Sequence, residues 1–457
     1  MTTANTILDA PIPATLARLA IPNVSATFVM FATSAVEVWF VGQLGTLALA
    51  GLAIVFPMLM LVQMVSAGAM GGTVAGAVAQ YLGRRDYQGA QALTAHAVIL
   101  GLLMAILFAA IFTCFGPQIY STLGAEGLVL AQALAYSNVV FPGCVALWLL
   151  NILSSVVRAC GQMKVAASAV VASSLLQIVL TPALVFGIGP IPALGIAGAA
   201  AAMLIGLGVG VVFFGYWLVS GRAGLRFDAS ALRFSAAVMW PLTRTALIAS
   251  ISPASTVATV VVMTGLVARL GPAALAGYGI GSRLEFLLVP IIFGIGAALI
   301  TMVGVHFGAG QIRRAYKIGW AGALSAALIT GVIGVTLALY PQLWAHQFSD
   351  DPQLRAICAL YLQIAGPAYA FFGLGLCFYF ASQGAGHIMW PVIGALLRLS
   401  IIAGGGLVAY AFGIASPELL FGLVAVGMTA YGLLTALAIG LGAWGPKELP
   451  PAPFSSC

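Results

Sequence analysis

Long apolar stretches alternate with short polar ones along the chain. A helix that crosses a bilayer needs about 20 mostly apolar residues. Twelve stretches meet that length: roughly 15–41, 48–80, 91–115, 129–156, 165–187, 194–219, 239–268, 274–305, 316–340, 356–382, 390–412 and 418–444. Each is read as a transmembrane helix, because a helix satisfies its own backbone in hydrocarbon. Pro22, Pro57, Pro142, Pro182, Pro253, Pro290, Pro367 and Pro391 fall within these spans or near their ends. Together with 55 glycines they predict kinked helices packed closely through small residues.

The pattern also repeats. Val41-Gly42-Gln43-Leu44-Gly45 returns as Val267-Ala268-Arg269-Leu270-Gly271, 226 positions later, and Arg18 stands in the same relation to Arg244. Gly83 and Gly308 lie 225 apart, as do Tyr136 and Tyr361 and the prolines that follow them, Pro142 and Pro367. Six spans is an even number, so both halves enter the membrane from the same side. The prediction is an all-α polytopic membrane protein with twelve transmembrane helices in two parallel six-helix bundles. A binding site is expected between or within such repeats. The first bundle covers 1–219, a polar linker 220–238, the second bundle 239–444 and a tail 445–457.

Composition agrees. Hydrophobic residues make up 62% of the 457 and charged ones 6%, where soluble domains carry roughly 25% charged residues. The net charge of +7 raises the question of nucleic acid, but its distribution points to membrane orientation instead. Arg18, Arg84, Arg85, Arg158, Lys164, Arg222, Arg226, Arg233, Arg244, Arg313, Arg314, Lys317 and Lys447 share one side if the spans alternate. Only Arg269 and Arg355 lie opposite. By the positive-inside rule both termini are cytoplasmic, in the inner (plasma) membrane of the cell. Met1–Ala14 lacks the marks of a signal peptide, so the first span is expected to be retained. Six cysteines without a CxxC pair read as small buried hydrophobes, not a disulfide frame or metal site.

The candidate chemistry starts at Glu37, the only charged residue between Arg18 and Arg84. An acid in hydrocarbon costs roughly 2.5 kcal/mol or more and is a functional hypothesis by default. At helical spacing behind it come Ser34, Thr33, Met30, Thr27 and Asn23, a polar stripe suited to a hydrated cavity. The bland alternative is a structural acid bonded to a neighbouring helix. In the second half Met263 replaces the acid, which assigns ion coupling mainly to the first half. Gln177 and Thr181, one turn apart before Pro182, are candidates to face the Glu37 cavity, although amides and hydroxyls are also routine glue between spans.

Glu285 is the second intramembrane acid. Arg283 lies on another helical face, and Arg398 in the eleventh span is a candidate partner. A structural ion pair and a substrate-pathway contact both stay open. Phe371, Phe372, Phe378 and Tyr379 read as core. No Walker A motif, HExxH or GxSxG is present. That excludes direct ATP drive and the hydrolases these motifs mark, and leaves a non-enzymatic secondary transporter. Gly83-Arg84-Arg85-Asp86 does not fit the loop motif of major-facilitator antiporters. A channel is disfavoured because the halves differ in charge.

The order and spacing of several stretches resemble the multidrug and toxic compound extrusion (MATE) family over nearly the whole chain. They are Glu37-Val38-Trp39-Phe40-Val41-Gly42-Gln43-Leu44-Gly45, Ala79-Gln80-Tyr81-Leu82-Gly83, Val303-Gly304-Val305-His306-Phe307-Gly308 and Thr181-Pro182-Ala183-Leu184-Val185-Phe186-Gly187. The last, read on through Ala200, is similar to the DinF-type branch. The resemblance implies a V-shaped pair of bundles that exports cationic or amphipathic organic compounds in exchange for H⁺ or Na⁺, with no other cofactor and no metal. The expected partners are those small molecules and the lipid bilayer, with no nucleic acid, and the protein is expected to act as a monomer. Glu37 matches the family's first-span acid, usually Asp. Gln177, Thr181 and Met203 stand where relatives often have Asn, Asp and Thr, so Glu37 is the lone acid of its cavity and Gln177 its expected partner. A lone carboxylate suits a proton better than Na⁺. The alternative reading is a flippase for lipid-linked or amphipathic metabolites of the wider superfamily.

Overall fold

The computed structural model describes residues 7–188, 192–225, 235–348 and 350–445. Among them all regular structure is helical. The long helices are α1 (Ile12–Gly42), α2 (Thr46–Gly83), α3 (Tyr87–Cys114), α4 (Gly127–Val140), α5 (Cys144–Ala159), α6 (Met163–Phe186), α7 (Ile196–Val219), α8 (Ala236–Ala268), α9 (Pro272–Gly308), α10 (Ile312–Leu339), α11 (Pro352–Ala385), α12 (Met389–Ala411) and α13 (Pro417–Gly440). Eleven are single spans among the described residues, and α4 with α5, bent by 48°, completes twelve. The break follows Val140 and contains Pro142. Its repeat counterpart Pro367 sits in a 3₁₀ turn, Gly366–Ala368, inside α11. A proline removes one backbone donor and obstructs the preceding turn, which gives the bend and the 3₁₀ turn their cause. Leu103, Val212, Leu328 and Leu407 are among the many large apolar side chains that point outward, as lipid-facing helices require.

The chain divides into two compact units. One contains Ser25–Ala246; the other contains Ala10–Val24 and the chain from Leu247 to the last described residue, Gly445. Helices α1 and α8 therefore each contribute to both units. Part of the 220–238 linker, with Arg226 and Arg233, lies outside the described residues, as does the tail from Pro446 with Lys447.

The repeat visible in the sequence is a repeat of packing. A side chain at Gly51 of α2 would meet Gln132 Cβ at 2.7 Å, and one at Gly277 of α9 would meet Ile357 Cβ at 2.6 Å. Gly206 of α7 abuts Ser173 and Gln177 of α6, while Gly427 of α13 abuts Arg398 and Ile402 of α12. Small residues let helices approach to backbone distance, so equivalent glycines fix equivalent crossings.

One difference between the halves has a visible cause. Helix α2 has 38 residues and α9 has 37. Residues Met64–Met70 of α2 form a π-helical stretch, whose wider turns absorb one extra residue within a continuous helix. The Asn151 amide of α5 closes on it, donating to Ser66 Oγ at 2.8 Å and Gln63 Oε1 at 3.3 Å.

Candidate functional site

Glu37 is 7% exposed, five residues before the end of α1. Two neutral donors hold its carboxylate: the Tyr136 hydroxyl donates to Oε1 at 2.8 Å and the Gln177 amide to Oε2 at 3.0 Å. No basic residue pairs with it among the described residues. Each donor is positioned by close helix contacts. Gly51 draws α2 onto α4 at Gln132 and Ala133, one turn before Tyr136. Gly198, Gly206 and Gly210 of α7 lie against Leu184, Ser173 and Leu150, holding α6 where Gln177 meets the acid. Thr181 makes no hydrogen bond to Glu37; its hydroxyl donates to the Gln177 carbonyl at 2.7 Å.

The stripe on α1 is polar in composition but largely spent on its own backbone. Asn23 donates to the Leu19 carbonyl at 3.0 Å and Thr33 to Val29 at 2.8 Å. Such bonds to the carbonyl four residues back are the usual way a helix accommodates a buried hydroxyl. Ser34 and Met30 are half-buried. On α8 Ser255, Thr256 and Thr259 bond back in the same way, and Met263 is buried.

Sequence reasoning used Tyr136 only as a marker of the repeat. Its signal was present nonetheless: the tyrosines in equivalent positions, Tyr136 and Tyr361, each donate to one of the two intramembrane acids. Tyr361 of α11 bonds Glu285 Oε1. Gly281, one turn before Glu285, makes the room, since a Cβ there would lie 2.6 Å from the Tyr361 ring. The equivalent position in α2 is the buried Val55, and Leu59 stands where Glu285 does.

The expected ion pair of Glu285 with Arg283 or Arg398 does not form. Among the described residues the one ion pair is Arg355–Asp350, in a loop. Arg283 is exposed. Arg398 is buried, 5% exposed, with its guanidinium 5.1 Å from the centroid of the Phe372 ring. Tyr361 occupies a carboxylate oxygen of Glu285, and the aromatic face holds the arginine in its own place. No group of three or more potential metal-ligating side chains occurs among the described residues.

Comparison with known proteins follows these features. The MatE family model matches once in each half, over residues 22–183 and 249–404. An FAD transporter of Shewanella oneidensis is 26% identical over 400 residues, covering 87% of each chain. A probable multidrug resistance protein NorM of Deinococcus radiodurans is 28% identical over 458 residues, covering 92% of this chain and 93% of that one. A crystal structure of MATE in complex with MaL6 superposes with a TM-score of 0.87 at 21% identity, covering 97% and 99%. A transporter of the MOP superfamily from Pyrococcus furiosus gives 0.87 at 21%, covering 98% and 100%. The matched fold is that of these transporters, and no relative among them singles out a DinF-type branch. With both halves matched by one family model and the fold shared end to end, the chain belongs to the MatE family of membrane transporters.

Proposed function

We propose that the protein is a secondary antiporter that exports cationic or amphipathic organic compounds in exchange for H⁺, with Glu37 as the protonated group. The observation that carries this reading is the burial of Glu37 between two neutral donors with no cation beside it. Such a carboxylate is balanced only by a proton or by a cationic ligand, which is the exclusivity an antiporter needs. The surroundings favour H⁺ over Na⁺. Tyr136 and Gln177 present donors to the carboxylate, and Thr181 is spent on a carbonyl, so few free oxygens remain for a metal cation. The relatives named for multidrug resistance support efflux as the direction.

The cycle runs as competition at one group. A proton from the outside neutralises Glu37 and releases the cationic compound outward. Loss of that proton to the cytoplasm restores the anion and its affinity for the next cation. Each charge moved across the membrane is worth about 2.3 kcal/mol per 100 mV, so exchange of unequal charge is driven by the potential as well. The protein acts as a monomer in the inner membrane with both termini cytoplasmic, the orientation in which its basic loops stay inside. The FAD-transporting relative extends the amphipathic class to phosphate-bearing aromatic molecules.

The test is transport of a fluorescent cation in proteoliposomes under separately imposed pH and Na⁺ gradients. A pH gradient drives wild-type uptake and Glu37→Gln abolishes it. Wild-type rates in Glu37→Gln, or drive by Na⁺ alone, would falsify the assignment.

A further inference from the structure

Helix α7 ends in a feature that its counterpart in the second half lacks. Its 24 residues reach about 36 Å at 1.5 Å each, longer than a hydrocarbon core of about 30 Å. Tyr216 and Trp217 mark its last turn as the part at headgroup level, where such rings sit with one side apolar and one side wet. Val209, Val212, Phe213, Tyr216 and Val219 recur every three or four residues and point outward. This lipid-facing stripe leads to Arg222, three residues past the helix end.

Arg222 is fixed by its backbone and its neighbours' rings, and its charge is left open. Gln162, just before α6, donates its amide to the Arg222 carbonyl at 2.8 Å and accepts from the Trp217 indole N–H at 2.8 Å. Gly221 turns the chain with a φ of 73°, and the buried Ala223 and Leu225 pin it on the far side. The guanidinium lies 5.4 Å from the centroid of the Tyr216 ring and 5.6 Å from that of Trp217. Phe213 stacks on Trp217 in turn, at 5.6 Å. Arg222 is exposed, and no carboxylate pairs with it among the described residues. A guanidinium stacked in this way is oriented by the ring faces while its N–H edge stays open to an acceptor.

The second half closes its last span with the same turn and none of this chemistry. The Gly442 N–H donates to the Ile439 carbonyl at 3.1 Å, as that of Gly221 does to Leu218. Counted from these glycines, Ala438 and Ala443 stand at the places of Trp217 and Arg222. The neighbouring Trp444 is fully buried and donates to Ser382 Oγ at 3.0 Å. The turn itself requires neither an indole nor an arginine, so their pairing in the first half has another use.

We propose that Arg222, on its platform of Tyr216 and Trp217, binds the phosphate headgroup of an anionic phospholipid in the leaflet at this end of α7. The guanidinium takes the phosphate oxygens with two parallel N–H donors. The acyl chains follow the outward stripe from Tyr216 back to Val209. A lipid is the occupant because the cation stands where apolar helix surface ends: a free phosphate gains the charge alone, and a phospholipid gains both. Lys164, exposed in the first turn of α6, adds positive charge at this end of the unit. The site is separate from the exchange at Glu37, and its occupancy needs no ion gradient.

The experiment places the full-length protein in phosphatidylcholine bilayers and compares quenching of Trp217 by brominated phosphatidylglycerol and by brominated phosphatidylcholine. The Trp217 signal is the difference between each protein and the same protein carrying Trp217→Phe, since the chain has eight tryptophans. Wild type is expected to prefer the anionic lipid about fivefold, the worth of one basic group at an anionic membrane surface. Arg222→Gln, an exposed change expected to keep the wild-type melting temperature, removes the preference, and Lys164→Gln keeps most of it. Equal quenching by both lipids in wild type overturns the proposal, as does an undiminished preference in Arg222→Gln. Equal losses in Arg222→Gln and Lys164→Gln also overturn it, because they reduce the effect to the general charge of this end. Inorganic phosphate added at constant ionic strength leaves the preference in place; its loss there would assign Arg222 to a soluble anion and overturn the lipid site.

Discussion

Tyr136 and Tyr361 stand at equivalent places in the two halves, both buried and both donating to a carboxylate. The carboxylates come from non-equivalent helices, α1 in the first half and α9 in the second. Around Glu37 every partner is neutral, and Met263 marks its vacancy in the second half. Around Glu285 lies a buried arginine within electrostatic reach, which the first half replaces with Ser173. Duplication kept the phenol and the glycine crossings, and the charges were distributed independently. Similar packing therefore does not imply similar chemistry, and each half has to be tested on its own.

The largest contrast is expected from the acids. Glu37→Gln reduces proton-driven transport in proteoliposomes to the protein-free background, whereas Glu285→Gln retains proton-driven transport of a cation. Equal loss in both would break the comparison. The tyrosines come next. Tyr136→Phe removes one bond to a charged group, about 1.5–3 kcal/mol, and slows exchange by roughly 10- to 100-fold. Tyr361→Phe shows its loss in thermal unfolding in detergent rather than in proton-driven transport.

A smaller effect separates the packing of the halves. Gly334 of α10 faces Gly366, and a Cβ there would lie 2.1 Å from the Gly366 carbonyl oxygen. Gly334→Ala is expected to destabilise by about 1–3 kcal/mol, read as a lowered melting temperature. The first half already carries Ala109 at the equivalent position. The smallest contrast concerns helix starts. Asp86 caps α3 by accepting from the Gly89 N–H at 2.8 Å, while its counterpart Gln311 makes no side-chain cap on α10. Asp86→Ala should cost about 0.5–2 kcal/mol and Gln311→Ala almost nothing, by the same melting measurement.

The spans were legible because hydrophobic length is read directly from composition, and every predicted span overlaps a helix or the bent pair within a few residues. The repeat was legible through spacing. Gln177 was reachable as a partner of Glu37 because the family resemblance puts it where relatives often carry a polar Asn. Tyr136 was not, since a residue 99 positions away is brought to Glu37 only by the Gly51 crossing. Arg398 was misread for the same kind of reason. Opposite charges in apolar sequence suggest a pair, but which oxygen is already taken and which ring lies beneath the guanidinium depend on packing that no local pattern encodes.

The widened turns at Met64–Met70 let the two halves differ in length. One half holds a residue at this place that the other lacks. In a regular helix the addition turns everything downstream by about 100°. That would have carried Gly71, Val74, Ala75 and Val78 out of the interior they now occupy. The local loosening confined the change to two turns and spared thirteen residues beyond it. A half-transporter can thus differ from its twin by one residue without being redesigned.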